Sequence, residues 1–132
     1  QAFVVSNDGM AGGVIQALAK RNLAGKILVT GQDAGLEALQ NIAEGKQSMT
    51  IYKPIVALAN AAVEAAIKLA NKQPLDTRPF MNDNIKKEVP SILLEVVTVD
   101  RANLIATVIK DGYAKYDDIY KNVPEADRPK KP

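Results

Sequence analysis

The feature that most constrains this chain is an alternation of two hydrophobic periods. Residues 2–6 are a short apolar run of the buried-strand type, ended by Asn7-Asp8-Gly9. From Met10 the spacing changes, and Ala11, Val14, Ile15 and Leu18 fall at i, i+3, i+4 and i+7, one face of a helix that Gly25 stops. The pattern then repeats. Residues 26–31 form a second apolar run, Gln32-Asp33 follows, and Leu36, Leu39, Ile42 and Ala43 keep to a helical face until Gly45. Residues 48–52 alternate as a third strand closed by Lys53-Pro54, and residues 55–70 are an alanine-rich helix. Strand–helix units in succession predict parallel strands joined by right-handed crossovers, an α/β fold of the doubly wound kind.

Beyond residue 70 the signals weaken. Pro74, Pro79 and Pro90 argue against long elements in residues 71–90, which read as loop with at most a short strand. Residues 92–99 are rich in β-formers, residues 103–110 suit one short helix ended by Gly112, and residues 125–132 are polar, with Pro129 and Pro132, and are expected to fray.

Composition removes several chemistries. The 132 residues include no Cys, His or Trp, which excludes disulfides, thiolate nucleophiles, imidazole bases and zinc sites built from those ligands. A net charge of +2 without basic runs gives no reason to expect nucleic acid. No uninterrupted apolar stretch reaches the roughly 18 residues of a membrane span. The chain opens on Gln1-Ala2-Phe3-Val4-Val5, inside a strand pattern and without an initiator Met, so a preceding segment is expected.

In open α/β sheets, ligands bind beyond the carboxyl ends of the strands. Those positions are Asn7, Asp33 and Lys53. An amide, a carboxylate and an ammonium together supply donors and acceptors suited to a polyhydroxylated ligand. Each residue also has a plainer reading: Asn7 or Asp8 as the cap of the first helix, Asp33 as the cap of the second, and Lys53 as a solvated side chain. The glycines do not form a dinucleotide-binding or phosphate-loop pattern, and the serines lack a histidine partner. The strand-end aspartates and Lys-Pro are shared with response-regulator receivers, but those place a further strand–helix unit between the two aspartates.

Three segments carry a resemblance. Ser6-Asn7-Asp8-Gly9-Met10-Ala11-Gly12-Gly13, Gly31-Gln32-Asp33-Ala34 and Met49-Thr50-Ile51-Tyr52-Lys53-Pro54 resemble the carboxyl-terminal portion of D-xylose-binding proteins. These belong to the ribose-binding-like family of periplasmic sugar-binding proteins. The likeness runs from Phe3 to about Tyr113, through Val108-Ile109-Lys110-Asp111-Gly112, and is least specific over residues 71–88. It implies the periplasmic-binding-protein fold, no enzymatic activity, no cofactor and no metal. It also implies sugar contacts from the positions matched by Asn7, Asp33 and Lys53. Ribose-binding relatives usually carry Gln at the third position, so Lys53 favours the xylose-type branch. Asp8 matches a position that is mainly structural.

Such proteins have two lobes that clamp the sugar, and this chain is long enough for one. The resemblance therefore implies an incomplete fold, with residues 1–99 belonging to the second lobe and residues 100–132 forming a hinge toward the first lobe and a frayed tail. The implied partners are a pentose, with D-xylose foremost, the missing amino-terminal half as a separate chain, and a membrane ABC permease, and the implied location is the periplasm or the extracellular face of the cell membrane. Two alternatives share the fold. One is an extracellular sugar sensor that signals to a membrane histidine kinase. The other is the effector domain of a lac-repressor-like regulator.

Overall fold

The predicted alternation is realised in the computed structural model, which describes residues Gln1–Pro132. In chain order the elements are β1 (Ala2–Phe3), α1 (Asp8–Ala19), β2 (Leu28–Val29), α2 (Leu36–Ala43), β3 (Met49–Tyr52), α3 (Ile55–Ala70), β4 (Arg78–Asn82), β5 (Lys87–Ser91), β6 (Val97–Asp100) and α4 (Tyr116–Ile119). A π-helical turn, Ile105–Ile109, lies between β6 and α4. The chain divides into two compact units, Gln1–Lys53 with Val97–Pro132, and Pro54–Val96.

In the first unit β1 and β2 pair in parallel, Ala2 with Leu28 and Phe3 with Val29. The next step across is made by Ser48 N–H donating to the Val29 carbonyl at 2.9 Å and Asp33 N–H donating to the Ile51 carbonyl at 2.9 Å. β6 adds an antiparallel pairing to β3, from Met49 opposite Asp100 to Tyr52 opposite Val97. β1–β2 and β3–β6 are thus separate two-stranded sheets, the first parallel and the second antiparallel, linked by those two bonds. The β-rich run of residues 92–99 is thus a strand only from Val97 onward.

The helices take the faces that their spacing dictates. α1 starts at Asp8, two residues before the first apolar position, because Asn7 caps it with a side-chain bond from Met10 N–H at 2.9 Å. Its buried residues are Ala11, Gly12, Ile15 and Leu18, and Ala11, Ile15 and Leu18 form a small core with Val29. The larger core joins Leu39 and Ile42 of α2 to Tyr52, Val99, Leu104, Val108, Ile119, Tyr120 and Val123. Each such aliphatic side chain contributes about 1.5–3 kcal/mol on burial. The segment expected as one short helix is a wider turn, with Lys110 N–H reaching back five residues to the Ile105 carbonyl at 3.0 Å. Leu104 before it and Val108 within it are fully buried.

The second unit is built differently. α3 spans the predicted range, yet none of its residues is buried. Ala and Leu have high helix propensity, which favours this sixteen-residue helix before any packing. Within residues 71–90, expected as loop with at most a short strand, the chain forms most of a hairpin of two strands, β4 and β5. The prolines that argued against it stand opposite each other, Pro79 with Pro90. Neither has an N–H, so they share a non-hydrogen-bonded position, where the ladder needs no donor from either strand. Asn82 opens the turn by accepting from Asn84 N–H at 3.1 Å. No helix in the chain is long and apolar enough to cross a membrane.

The carboxyl-terminal residues are tied to the first unit, where their polarity suggested fraying. Tyr116 Oη donates to the Pro129 carbonyl. Arg128 Nε donates to the Val123 carbonyl at 2.7 Å, and Lys131 pairs with Asp117 at 2.8 Å. Bonds from the Arg128 guanidinium and the Tyr116 hydroxyl to backbone carbonyls, with the Lys131–Asp117 ion pair, order a polar segment that has little apolar surface to bury. Deleting residues 125–132 is expected to lower stability by about 1–3 kcal/mol, the worth of two or three such bonds. Urea denaturation of the truncated chain checks this, and an unchanged midpoint would show that the tail contributes nothing.

Candidate functional site

The rim at the carboxyl ends of β1, β2 and β3 is organised by one side chain, Asp8. Its Oδ2 accepts from Gly35 N–H at 2.8 Å, and its Oδ1 accepts from Gln47 Nε2 at 3.1 Å. Thr50 Oγ1 lies 2.9 Å from Oδ1 and 3.0 Å from Oδ2, and donates its proton to this carboxylate. Thr50 in turn accepts from Ala34 N–H at 3.2 Å. Asp8 N–H donates to the Gln32 carbonyl at 2.9 Å. One carboxylate at the start of α1 therefore fixes the loop after β2 and the middle of β3. Asp8 is occupied by the protein itself.

This packing explains a glycine. A Cβ on Gly31 would lie 2.1 Å from Asp8 Oδ1 and 2.6 Å from Gln47 Nε2, so only a residue without a side chain admits the network. The next turn is strained. Asp33 has φ of 103° and Ala34 has φ of 53°, a conformation that costs non-glycine residues about 1–3 kcal/mol each unless the surroundings hold it. Those surroundings are the bonds from Asp33 N–H to Ile51 and from Ala34 N–H to Thr50.

The three residues singled out in the sequence then fall into place as follows. Asp33 and Lys53 are brought together, with Lys53 Nζ 2.7 Å from Asp33 Oδ1. Their side chains are 52% and 38% exposed, so the pair faces solvent and is held weakly. Asp33 does not cap the second helix, whose cap position is Gly35 with no side-chain bond. Asn7 does cap the first, through its side-chain carbonyl oxygen, which leaves the amide NH2 group as a donor just before α1. No group of three or more metal-ligating side chains converges in the chain.

Behind Lys53 lies an aromatic brace that sequence spacing did not reveal. Tyr52 is 5% exposed, its hydroxyl donates to Asp111 Oδ2, and its ring centroid is 4.8 Å from that of Tyr113. Tyr113 Oη donates to the Asp33 carbonyl at 3.3 Å. Asp111 and Tyr113 stand 59 and 61 positions after Tyr52, and no local pattern links them. Burial, and then the Asp111 carboxylate, push the Tyr52 phenol up to about 12.

Comparison with known proteins agrees with this architecture. Residues 1–74 match the family described as periplasmic binding protein domain. The D-xylose-binding periplasmic protein of Haemophilus influenzae is 44% identical over 119 residues, 90% of this chain and 36% of that relative. The protein of the same description from Escherichia coli is 47% identical over 118 residues, 89% of this chain and 36% of its own length. A carbohydrate transporter solute-binding protein from Chloroflexus aurantiacus, solved with D-glucose, superposes with a TM-score of 0.76 at 37% identity, covering 87% of this chain and 34% of the other. The chain belongs to the periplasmic binding protein domain family. It spans about a third of the length of the curated relatives it matches.

Two outcomes test the geometry. Gly31→Ala is expected to destabilise the chain by about 1–3 kcal/mol through overpacking against Asp8. Gly13→Ala, where an added Cβ meets nothing within 4 Å, serves as the neutral control in the same urea series. Tyr52 is expected to ionise well after an ordinary tyrosine. Its folded value is raised from about 10 to about 12, so its contribution to stability is full below pH 10 and is lost as pH rises through 12. Titration of tyrosinate absorbance in wild type and Tyr52→Phe checks this, and removal of an ordinary rather than a late transition would contradict it.

Proposed function

We propose that the chain is the sugar-contacting part of a non-enzymatic solute-binding protein that takes D-xylose in the periplasm for ABC-type import. The observation that carries the reading is the Asp33–Lys53 pair, 2.7 Å apart on the rim of a chain similar to D-xylose-binding periplasmic proteins at 44% and 47% identity. A carboxylate accepts hydrogen bonds from sugar hydroxyls, and an ammonium donates to sugar oxygens. Without sugar the two groups satisfy each other. An exposed pair of this kind is worth about 0–1 kcal/mol, so a hydroxyl that enters between them displaces little. Asn7 adds an amide donor from the start of α1.

The rim takes the place of one jaw. Relatives extend well beyond the matched third. We assign residues 1–53 and their strand partners to the second lobe and leave the opposing jaw to that further length. Closure of two jaws would exclude water from the pair and strengthen each bond. The closed form is what an ABC permease would recognise.

Calorimetry on the full-length protein tests the reading. D-Xylose is expected to bind, and Asp33→Ala is expected to cost one to two decades in affinity, because a hydrogen bond to a charged group is worth about 1.5–3 kcal/mol. Lys53→Gln is expected to weaken xylose and to move the xylose-to-ribose ratio toward ribose, since Gln offers a planar donor–acceptor pair in place of three donors. Unchanged affinity in Asp33→Ala would remove Asp33 from the site, and an unchanged ratio in Lys53→Gln would place selectivity elsewhere.

A further inference from the structure

We infer that Tyr113 and Asp111 are positioning residues of the sugar site, which hold Asp33 in its strained conformation through Tyr52. The inference rests on the proposed sugar site and adds two residues to it that need not touch the ligand. Asp33 stands at φ of 103°, where an aspartate does not rest unaided. Its N–H is held from one side by the Ile51 carbonyl at 2.9 Å. Its carbonyl is held from the other by Tyr113 Oη at 3.3 Å. Tyr113 is 38% exposed, and its ring is restrained by a tilted contact with buried Tyr52, centroids 4.8 Å apart and planes at 46°. Tyr52 is itself locked, because its hydroxyl donates to Asp111.

The order of the chain makes this brace specific to the site. Tyr52 immediately precedes Lys53, so the residue that carries the Tyr113 ring also sets the direction in which Lys53 leaves β3. Gly112, at φ of 71°, bends the backbone between Asp111 and Tyr113. Both side chains of the Asp33–Lys53 pair are thereby referred to one aromatic support, whose anchor comes from a segment some 60 residues later. A stability role alone would need the Tyr52–Asp111 bond but would give no reason for a hydroxyl on Tyr113 aimed at the Asp33 carbonyl.

A double-mutant cycle on the full-length protein, read by xylose calorimetry, tests the inference. Tyr113→Phe keeps the ring on Tyr52 and removes only the hydroxyl, and is expected to weaken xylose binding about threefold to tenfold, the worth of one neutral hydrogen bond. In an Asp33→Ala background the same change is expected to cost nothing further, because its effect passes through Asp33. Asp111→Ala is expected to weaken binding similarly, and Asp111→Asn, which still accepts from Tyr52, to restore most of it. Equal losses in both backgrounds, or no loss in Tyr113→Phe, would overturn the inference.

Hydrogen exchange without sugar supplies an independent reading. The amides of Asp33 and Ala34 are expected to exchange faster in Tyr113→Phe, while those of α1 stay unchanged. Unchanged exchange at residues 33 and 34 would also overturn it. Should the wild-type protein fail to bind xylose, the proposed function falls, and the exchange measurement alone decides whether Tyr113 positions Asp33.

Discussion

The Asp8 carboxylate is the interaction on which the arrangement of the rim depends. It sits in the first turn of α1, where the partial positive charge of a helix N-terminus favours an anion. From there it receives bonds from the backbone of Gly35 and from the side chains of Gln47 and Thr50. These partners come from the loop that enters α2 and from β3 and its approach. Thr50 and Ala34 are fully buried, so their polar groups have no water to fall back on. Removing the carboxylate would leave several donors unsatisfied at once, which costs more than the bonds themselves contribute. Gly31 is the steric counterpart of the same requirement.

A second consequence follows from that anchoring. Because Asp8 and Thr50 hold Gly35 and Ala34, the residue before them can be forced into a conformation it would not choose. Asp33 is that residue, and its carboxylate is delivered to Lys53 at the edge of the rim. Rigid groups lie beneath and a weak, half-exposed ion pair lies above. This division suits recognition. The frame is costly to disturb, while the pair proposed to meet a ligand would open at little expense.

The unit Pro54–Val96 shows how far local propensity can go without a core. α3 buries none of its residues, and Ile55, Val56, Leu58, Val63, Ile67 and Leu69 are all exposed. The hairpin of β4 and β5 likewise leaves Phe80, Met81 and Val89 open. Its register is nevertheless definite, because two prolines can face each other only where no ladder donor is needed.

Sequence by itself determined the alternation of strand and helix through residue 70, since hydrophobic period is a local property of the chain. It also determined that Asn7 and Asp33 would stand in the connections from the first two strands to their helices and that Lys53 would directly follow the third, because the order of strand and helix is set by the same period. The family resemblance came from the same short segments. Only the tertiary structure decided the rest. Proline content spoke against a hairpin that proline pairing in fact permits, and polarity spoke for a frayed tail that Arg128 and Tyr116 bind down. Both Asn7 and Asp33 suit a capping role in sequence, and the fold separates them, giving the cap to Asn7 and an ion pair to Asp33. The support from Asp111 and Tyr113 could not be read in advance, because a contact across some 60 residues leaves no periodic trace. Such pairs are selected by the backbone that brings them together, and that geometry exists only once the core around Leu39, Leu104 and Ile119 has formed.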